Sequence, residues 1–231
     1  MAKQGGMGDN LYVGGYNLSG DIGSLGKIGG GPAPLDLTGI DKSAFERRGG
    51  LRDGSIEFTS YFNPSIDQAH DRLSDLPTID VLVSYFRGTA LGGQSANLVG
   101  KQINYDPSRA ADGSLTIGVQ ALANGFGLEW GTSMTAGRRT DGTAGAGTAV
   151  DFGAASAFGL QAYLHVFAFT GTSVTVKLQE SSDAGGVDTW ADVVGGGFAA
   201  ATGVTSQRIA TTSNLAVEQF LRPVLDRKSV V

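Results

Sequence analysis

Two histidines, His70 and His165, are all that this chain offers for imidazole chemistry, and it contains no cysteine. The missing thiols remove a disulfide framework, a thiolate metal site and a cysteine nucleophile together. His70 stands beside Asp67 and Asp71, a grouping that would suit a metal ion or an acid–base pair. Its simpler reading is a helix residue next to solvated carboxylates. His165 falls in a strand pattern among aromatics and is expected on the less buried face. Neither has a second histidine four residues away, so there is no helical zinc motif.

The carboxylates and hydroxyls are equally unforthcoming. Asp183, Asp188 and Asp192 surround Gly185-Gly186 at a spacing that would serve a loose calcium loop. Aspartates that shape a hairpin turn have the same appearance. Asp36/Asp41 and Asp53/Glu57 are paired by sequence but lie in turn and strand contexts without a general-acid signature. No G-x-S-x-G elbow occurs, and serines such as Ser24 and Ser114 sit in glycine-rich turns. Gly145 to Val150 begins like a dinucleotide fingerprint, but it lacks the third glycine, follows no strand and opens no helix. Tyr163, Trp190 and Phe198 would form a sugar-stacking platform if they converged, although alternation places Trp190 with Ala191 and Val193 in a core. Arg47-Arg48 and Arg138-Arg139 are isolated basic pairs, solvated or interfacial. No catalytic residue and no cofactor is assigned, and an enzyme is not expected.

Composition points the same way. Glycine accounts for 37 of 231 residues, roughly twice its average share of about 7%. Six prolines without a G-X-Y period exclude collagen, and 41% hydrophobic residues exclude a disordered chain. The net charge of -5 and pI near 4.9 argue against gripping nucleic acid through its phosphates. Fourteen acidic and ten basic residues precede position 132, against eight and seven after it, so the acidic excess lies in the first half. No apolar run reaches the ~18 residues of a membrane span. Met1 to Gly6 carries no apolar stretch behind Lys3, so no secretory leader is expected.

Strand patterns dominate. Leu11–Val13 and Tyr16–Leu18 flank Gly14-Gly15, a short hairpin whose turn needs positive φ. Asp53–Phe62 and Leu115–Ala121 alternate, and Ile79–Phe86 is apolar on both faces. The spacing of Ile66, Ala69, His70 and Leu73 predicts one helix over Ser65–Asp75, with Ser65 as N-cap and Gln68 three residues on. Gly131–Val150 is rich in Gly, Thr and Ala and reads as a linker. Beyond it, Phe158–Thr170, Val174–Gln179 and Leu215–Leu221 alternate again, with a turn at Ser182–Gly186. Short strands at this spacing suggest a second β-sandwich. Pro223 should shorten the last strand or leave it to be completed by a neighbour.

The segment from Asp9 through Leu11-Tyr12-Val13-Gly14-Gly15-Tyr16-Asn17-Leu18-Ser19-Gly20 to Asp21 resembles the start of tail proteins of actinobacterial phages with long flexible tails. Leu37–Arg47, Gly50–Gly54, Ala121–Gly125 and Leu178–Asp183 are similar to the same group. The resemblance spans nearly the whole chain and is structural in its motifs. It implies a major tail protein: a β-sandwich or half-barrel with one flanking helix, followed by a second all-β sandwich. It further implies stacked hexameric rings around a channel that DNA crosses without specific binding.

The expectation is therefore a virion protein, made in a bacterial cytoplasm and assembled with copies of itself and other tail proteins. Residues 1–131 would assemble, 132–149 would link, and 150–231 would project outward. Strands and loops, including the glycine-rich Gly20–Pro34, would contact neighbours, and Asp53, Glu57 or Asp106 would line an acidic channel. Alternatives are a capsid decoration or minor tail protein, and a carbohydrate-binding module.

Overall fold

A computed structural model describes residues 5–228; the leader reading rests partly on Met1–Gln4, which lie outside them. The chain is mainly β. In order it forms β1 (Asn10–Val13), β2 (Tyr16–Asn17), β3 (Ile22–Asp36), β4 (Arg47–Tyr61), α1 (Ala69–Leu73), β5 (Val81–Phe86), β6 (Gln94–Gln102), β7 (Asp106–Arg109) and β8 (Leu115–Ala123). There follow β9 (Glu129–Thr132), β10 (Gly145–Ala146), β11 (Val150–Asp151), β12 (Gln161–Val166), β13 (Ser173–Ser181), β14 (Ala191–Gly197), β15 (Thr205–Ala210) and β16 (Phe220–Lys228). No helix among the described residues is long and apolar enough to cross a membrane.

Contacts divide the chain into two compact units. One joins the segment through Asn17, Tyr85–Ser95 and everything from Gly131 onward; the other comprises Leu18–Ser84 and Ala96–Trp130. The chain passes between them four times, after Asn17 and within β5, β6 and β9.

In the Leu18–Ser84 and Ala96–Trp130 unit the antiparallel strands lie in the order β5-β6-β8-β4-β3, with β7 also on β8. Alternation explains the core: Ile56 and Phe58 on β4 and Ile117, Val119 and Ala121 on β8 are buried, and their neighbours in sequence face away. Leu18, Ala69, Leu73 and Leu98 close this core. The helix is shorter than expected, five residues from Ala69 to Leu73. Asp67 has φ 64, which breaks helical geometry upstream, and Ile66 is exposed. Ser65 is not the cap. The carboxylate of buried Asp21 takes that role, accepting the Ala69 N–H at 3.0 Å and the Asn63 side-chain amide at 2.8 Å.

The other unit opens with the expected hairpin. Gly14 and Gly15 have φ 60 and 94, and Val13 pairs with Tyr16. Its second half contains a sheet in the order β10-β16-β13-β14 with β11 also on β16, and the ribbon β12-β15. Leu178, Val193, Val217 and Leu221 form the core, with Met134, Leu160 and Leu215 against it.

Three expectations are corrected here. The Gly/Thr/Ala stretch contains β10, which pairs with β16. The last strand is nine residues long and runs through Pro223, with β13 opposite it along its whole length. It tolerates the proline because the Pro223 carbonyl accepts the Gly147 N–H at 2.7 Å, on the side away from β13. In an antiparallel ladder a residue's N and O address the same neighbour, so the missing donor falls in the break between β10 and β11. Finally, Phe158 is exposed and precedes β12 rather than starting it.

Candidate assembly surface

The residues singled out for chemistry do not converge. His70 Nδ1 lies 2.6 Å from the Tyr105 hydroxyl and its ring packs on Phe62, while Asp67 and Asp71 both pair with Arg72. Asp183 accepts backbone N–H groups from Gly186, Val187 and Asp188, which hold its carboxyl below the usual carboxylate range. Asp188 accepts from Ser182, and Asp192 from Lys177 and Gln179. Each aspartate thus has a separate structural partner, and among the described residues no group of three or more His, Cys, Asp or Glu is arranged to hold a metal ion. Phe198 is buried and offers no face for stacking. Tyr163 on β12 packs with Arg208, and half-buried Trp190 lies under the Arg222 guanidinium at 4.3 Å. Ser24 belongs to β3 and pairs with Thr59, whereas Ser114 closes an Asx turn on Asp112.

His165 is not on an open face. It is half-buried among Tyr12 and Phe167, with centroids 5.8 and 5.9 Å away. Its Nδ1 accepts the Gly15 N–H at 3.3 Å, and burial lowers its pKa to about 3. Burial also raises the Tyr12 pKa against the opposing field of Arg138, whose guanidinium lies over Phe167.

What stands out is a surface. The glycine-rich Gly20–Pro34 supplies most of β3, which pairs with β4 from Ile22↔Ser60 to Asp36↔Arg47. Alternation could not reveal it, because glycines and prolines occupy its outer half. β8 supports β4 only from Ser55 to Tyr61. Beyond that point β3 and β4 have only each other among the named strands, forming a two-stranded arm. From Gly30 to Asp53 every residue except Thr38 and Gly50 is exposed. Leu35, Leu37, Ile40, Phe45 and Leu51 are among them, Ile40 fully so.

The arm is nonetheless ordered at both ends. At its tip, Thr38 donates its hydroxyl and its N–H to Asp36 Oδ1 at 2.5 and 3.0 Å, which depresses the Asp36 pKa. The Glu46 N–H closes the turn on Thr38 Oγ1 at 2.8 Å, and Arg47 stacks 4.3 Å over Phe45. At its root a Cβ on Gly54 would lie 2.6 Å from Leu128, so only glycine permits that approach. Buried Glu129 stands 3.7 Å from Arg52 beside it.

Register also places the three acidic residues offered for the channel wall. Glu57 pairs with Gln120 and Asp106 with Gly118, positions of β8 that alternate with buried Ile117, Val119 and Ala121. Asp53 has the same parity on β4 as Glu57. Glu57 and Asp106 therefore lie on the face of the sheet turned away from the core, where Lys27 stands opposite Glu57, and Asp53 lies on the same side of β4 at the root of the arm.

No family model matches the chain. No curated protein matches it either. Among solved structures it is similar to a chain from the virion of a native gene transfer agent particle, with 13% identity over 56% of this chain and 99% of that one, at a TM-score of 0.44. It is also similar to the SPP1 Dit protein, described as a paradigm of hub adsorption apparatus in phages infecting Gram-positive bacteria. That match has 9% identity over 95% of this chain and 99% of that one, at a TM-score of 0.32.

Proposed function

We propose that this chain is a non-enzymatic structural subunit of a phage tail, polymerising as stacked hexameric rings into the tube through which DNA leaves the particle. The observation that carries this reading is the β3–β4 arm. A two-stranded ribbon is marginal in water on its own, and a run of exposed apolar side chains marks a surface that is covered in use. Neighbouring subunits supply that cover. The resemblance of Asp9–Asp21 and Leu37–Arg47 to phage tail proteins supports the same role.

The polar face bearing Glu57 and Asp106, with Asp53 at the root of the arm, would line the channel, where like charge keeps DNA from adhering. Residues 150–231 would project outward, and other tail proteins would cap the assembly. The protein would reside in the virion after synthesis in the host cytoplasm.

Negative-stain electron microscopy of the concentrated protein tests the reading. Rings or hollow tubes are expected, and a variant with Pro32–Arg52 replaced by a two-residue Asn-Gly turn, which joins the paired Gly31 and Asp53, should remain monomeric. A shortened variant that assembles as readily as the parent would overturn the role of the arm. Labelling of the capsid rather than the tail in particles would favour the decoration alternative, and a glycan-array signal the carbohydrate-binding one.

A further inference from the structure

We infer that the arm tip of one copy docks on the α1 end of the next, giving a head-to-tail contact rather than a symmetric one. The inference rests on the assembly reading above and names the two surfaces that meet.

Both surfaces belong to the Leu18–Ser84 and Ala96–Trp130 unit. β4 runs fifteen residues from Arg47 at the arm tip to Tyr61, an extent of about 50 Å at the usual rise per strand residue. At the far end of β4 lies a second exposed apolar group. Tyr61, Phe62, Ile66, Leu76, Ile79 and Ile103 are all exposed around α1. His70 and Tyr105 hold Phe62 there, and the Gln102 side chain donates to the Leu73 carbonyl at 2.6 Å, which fixes the Ile103 strand end beside the helix.

The two ends carry complementary charge. Leu35–Arg52 has four basic residues, Lys42, Arg47, Arg48 and Arg52, against three acidic. Phe62–Ile79 has three acidic residues, Asp67, Asp71 and Asp75, against Arg72 alone. Unlike patches at opposite ends exclude tip-on-tip pairing, leaving a reciprocal antiparallel pair or a one-way contact from copy to copy, and the stacked rings proposed above require the second. The one-way contact is heterologous and closes as a ring or continues as a filament. Charge complementarity then selects the order of the ends and disfavours tip against tip.

The edge of β3 argues for docking by face. Pro32 and Pro34 lack the N–H that an added strand would need, so strand addition along this edge is blunted. The tip therefore offers its side chains, not its backbone, to the next copy.

The cysteine-free chain makes the test direct. Full-length Ile40→Cys and Ile66→Cys variants are prepared separately, then mixed in equal amounts at assembly concentration with a bis-maleimide. The mixture should give at least a fivefold excess of crosslinked dimer over either variant alone. Arg48→Glu and Asp75→Lys should each weaken assembly several-fold, and the two together should restore it. Equal crosslinking in the Ile40→Cys sample alone would indicate a symmetric tip-to-tip contact, and a product of the Ile40→Cys/Ile66→Cys double variant that stops at the dimer would indicate a reciprocal two-fold one; either would overturn the inference. Rings or tubes in the same samples without mixed crosslinks would overturn it while leaving the tail reading intact. Mixed crosslinks in open filaments that lack a channel would do the reverse.

Discussion

The backbone N–H of Gly15 donates to Nδ1 of His165 across 3.3 Å, joining residues 150 positions apart within one compact unit. The bond fixes the tautomer: Nδ1 accepts, so the imidazole is neutral. Thr205 closes the same point, since a Cβ on Gly15 would meet its carbonyl oxygen at 2.9 Å.

This arrangement makes the unit acid-sensitive. His165 has a folded pKa near 3, below its ordinary value of 6.5. Between those limits the unfolded chain binds the extra proton, so stability rises with pH and is lost as pH falls from about 6.5 toward 3. Thermal melts of the parent should decline over that window. A His165→Phe variant should decline less, because it has nothing to protonate at that site.

Gly15→Ala should destabilise by about 1–3 kcal/mol, from positive φ and the Thr205 clash together. Urea titration would measure it, and an unchanged midpoint would contradict the close approach.

Asp21→Ala should cost about 1–3 kcal/mol, because it orphans the buried N–H of Ala69 and the Asn63 amide. Hydrogen exchange should show the loss concentrated at α1. Ser65→Ala should leave α1 protection almost unchanged, since Ser65 does not cap it.

Substituting Ile40 or Leu51 with aspartate should change folding stability by no more than ~0.5 kcal/mol, as for exposed sites in general. The same substitutions should reduce sedimentable assemblies strongly. Loss of fold would mean that the arm packs on its own unit, and unchanged assembly that it does not meet neighbours.

Calcium should leave the melting temperature unmoved, because the Asp183 carboxylate already binds the Gly186, Val187 and Asp188 amides. A calcium-dependent rise would show that the turn opens around an ion. Protonating Asp183 loosens the turn, so its contribution is present above the ordinary carboxylate pKa and fades as pH falls below it.

Elements with local causes were readable in the sequence. The Gly14-Gly15 turn, the inner half of β4 and the alternation of Ile117, Val119 and Ala121 follow from φ freedom and a period of two. The presence of only two histidines and no cysteine was readable too, since composition is counted directly. The arm was not. The outer half of β3, rich in Gly and Pro, has no alternation to display, and its strand character comes from β4, whose outer half is itself poor in apolar residues. The α1 cap was equally hidden, because Asp21 lies 48 positions away and Ser65 offered the standard local signal.

By itself, then, the sequence determined a β-rich, thiol-free, mildly acidic chain with glycine at its turns, because composition and short-range sterics act within a few residues. The tertiary structure alone decided that Gly15 meets His165, that Glu57 and Asp106 share a face, and that apolar side chains collect at both ends of β4. Those outcomes depend on register and long-range pairing, which bring together residues that no short window of sequence contains.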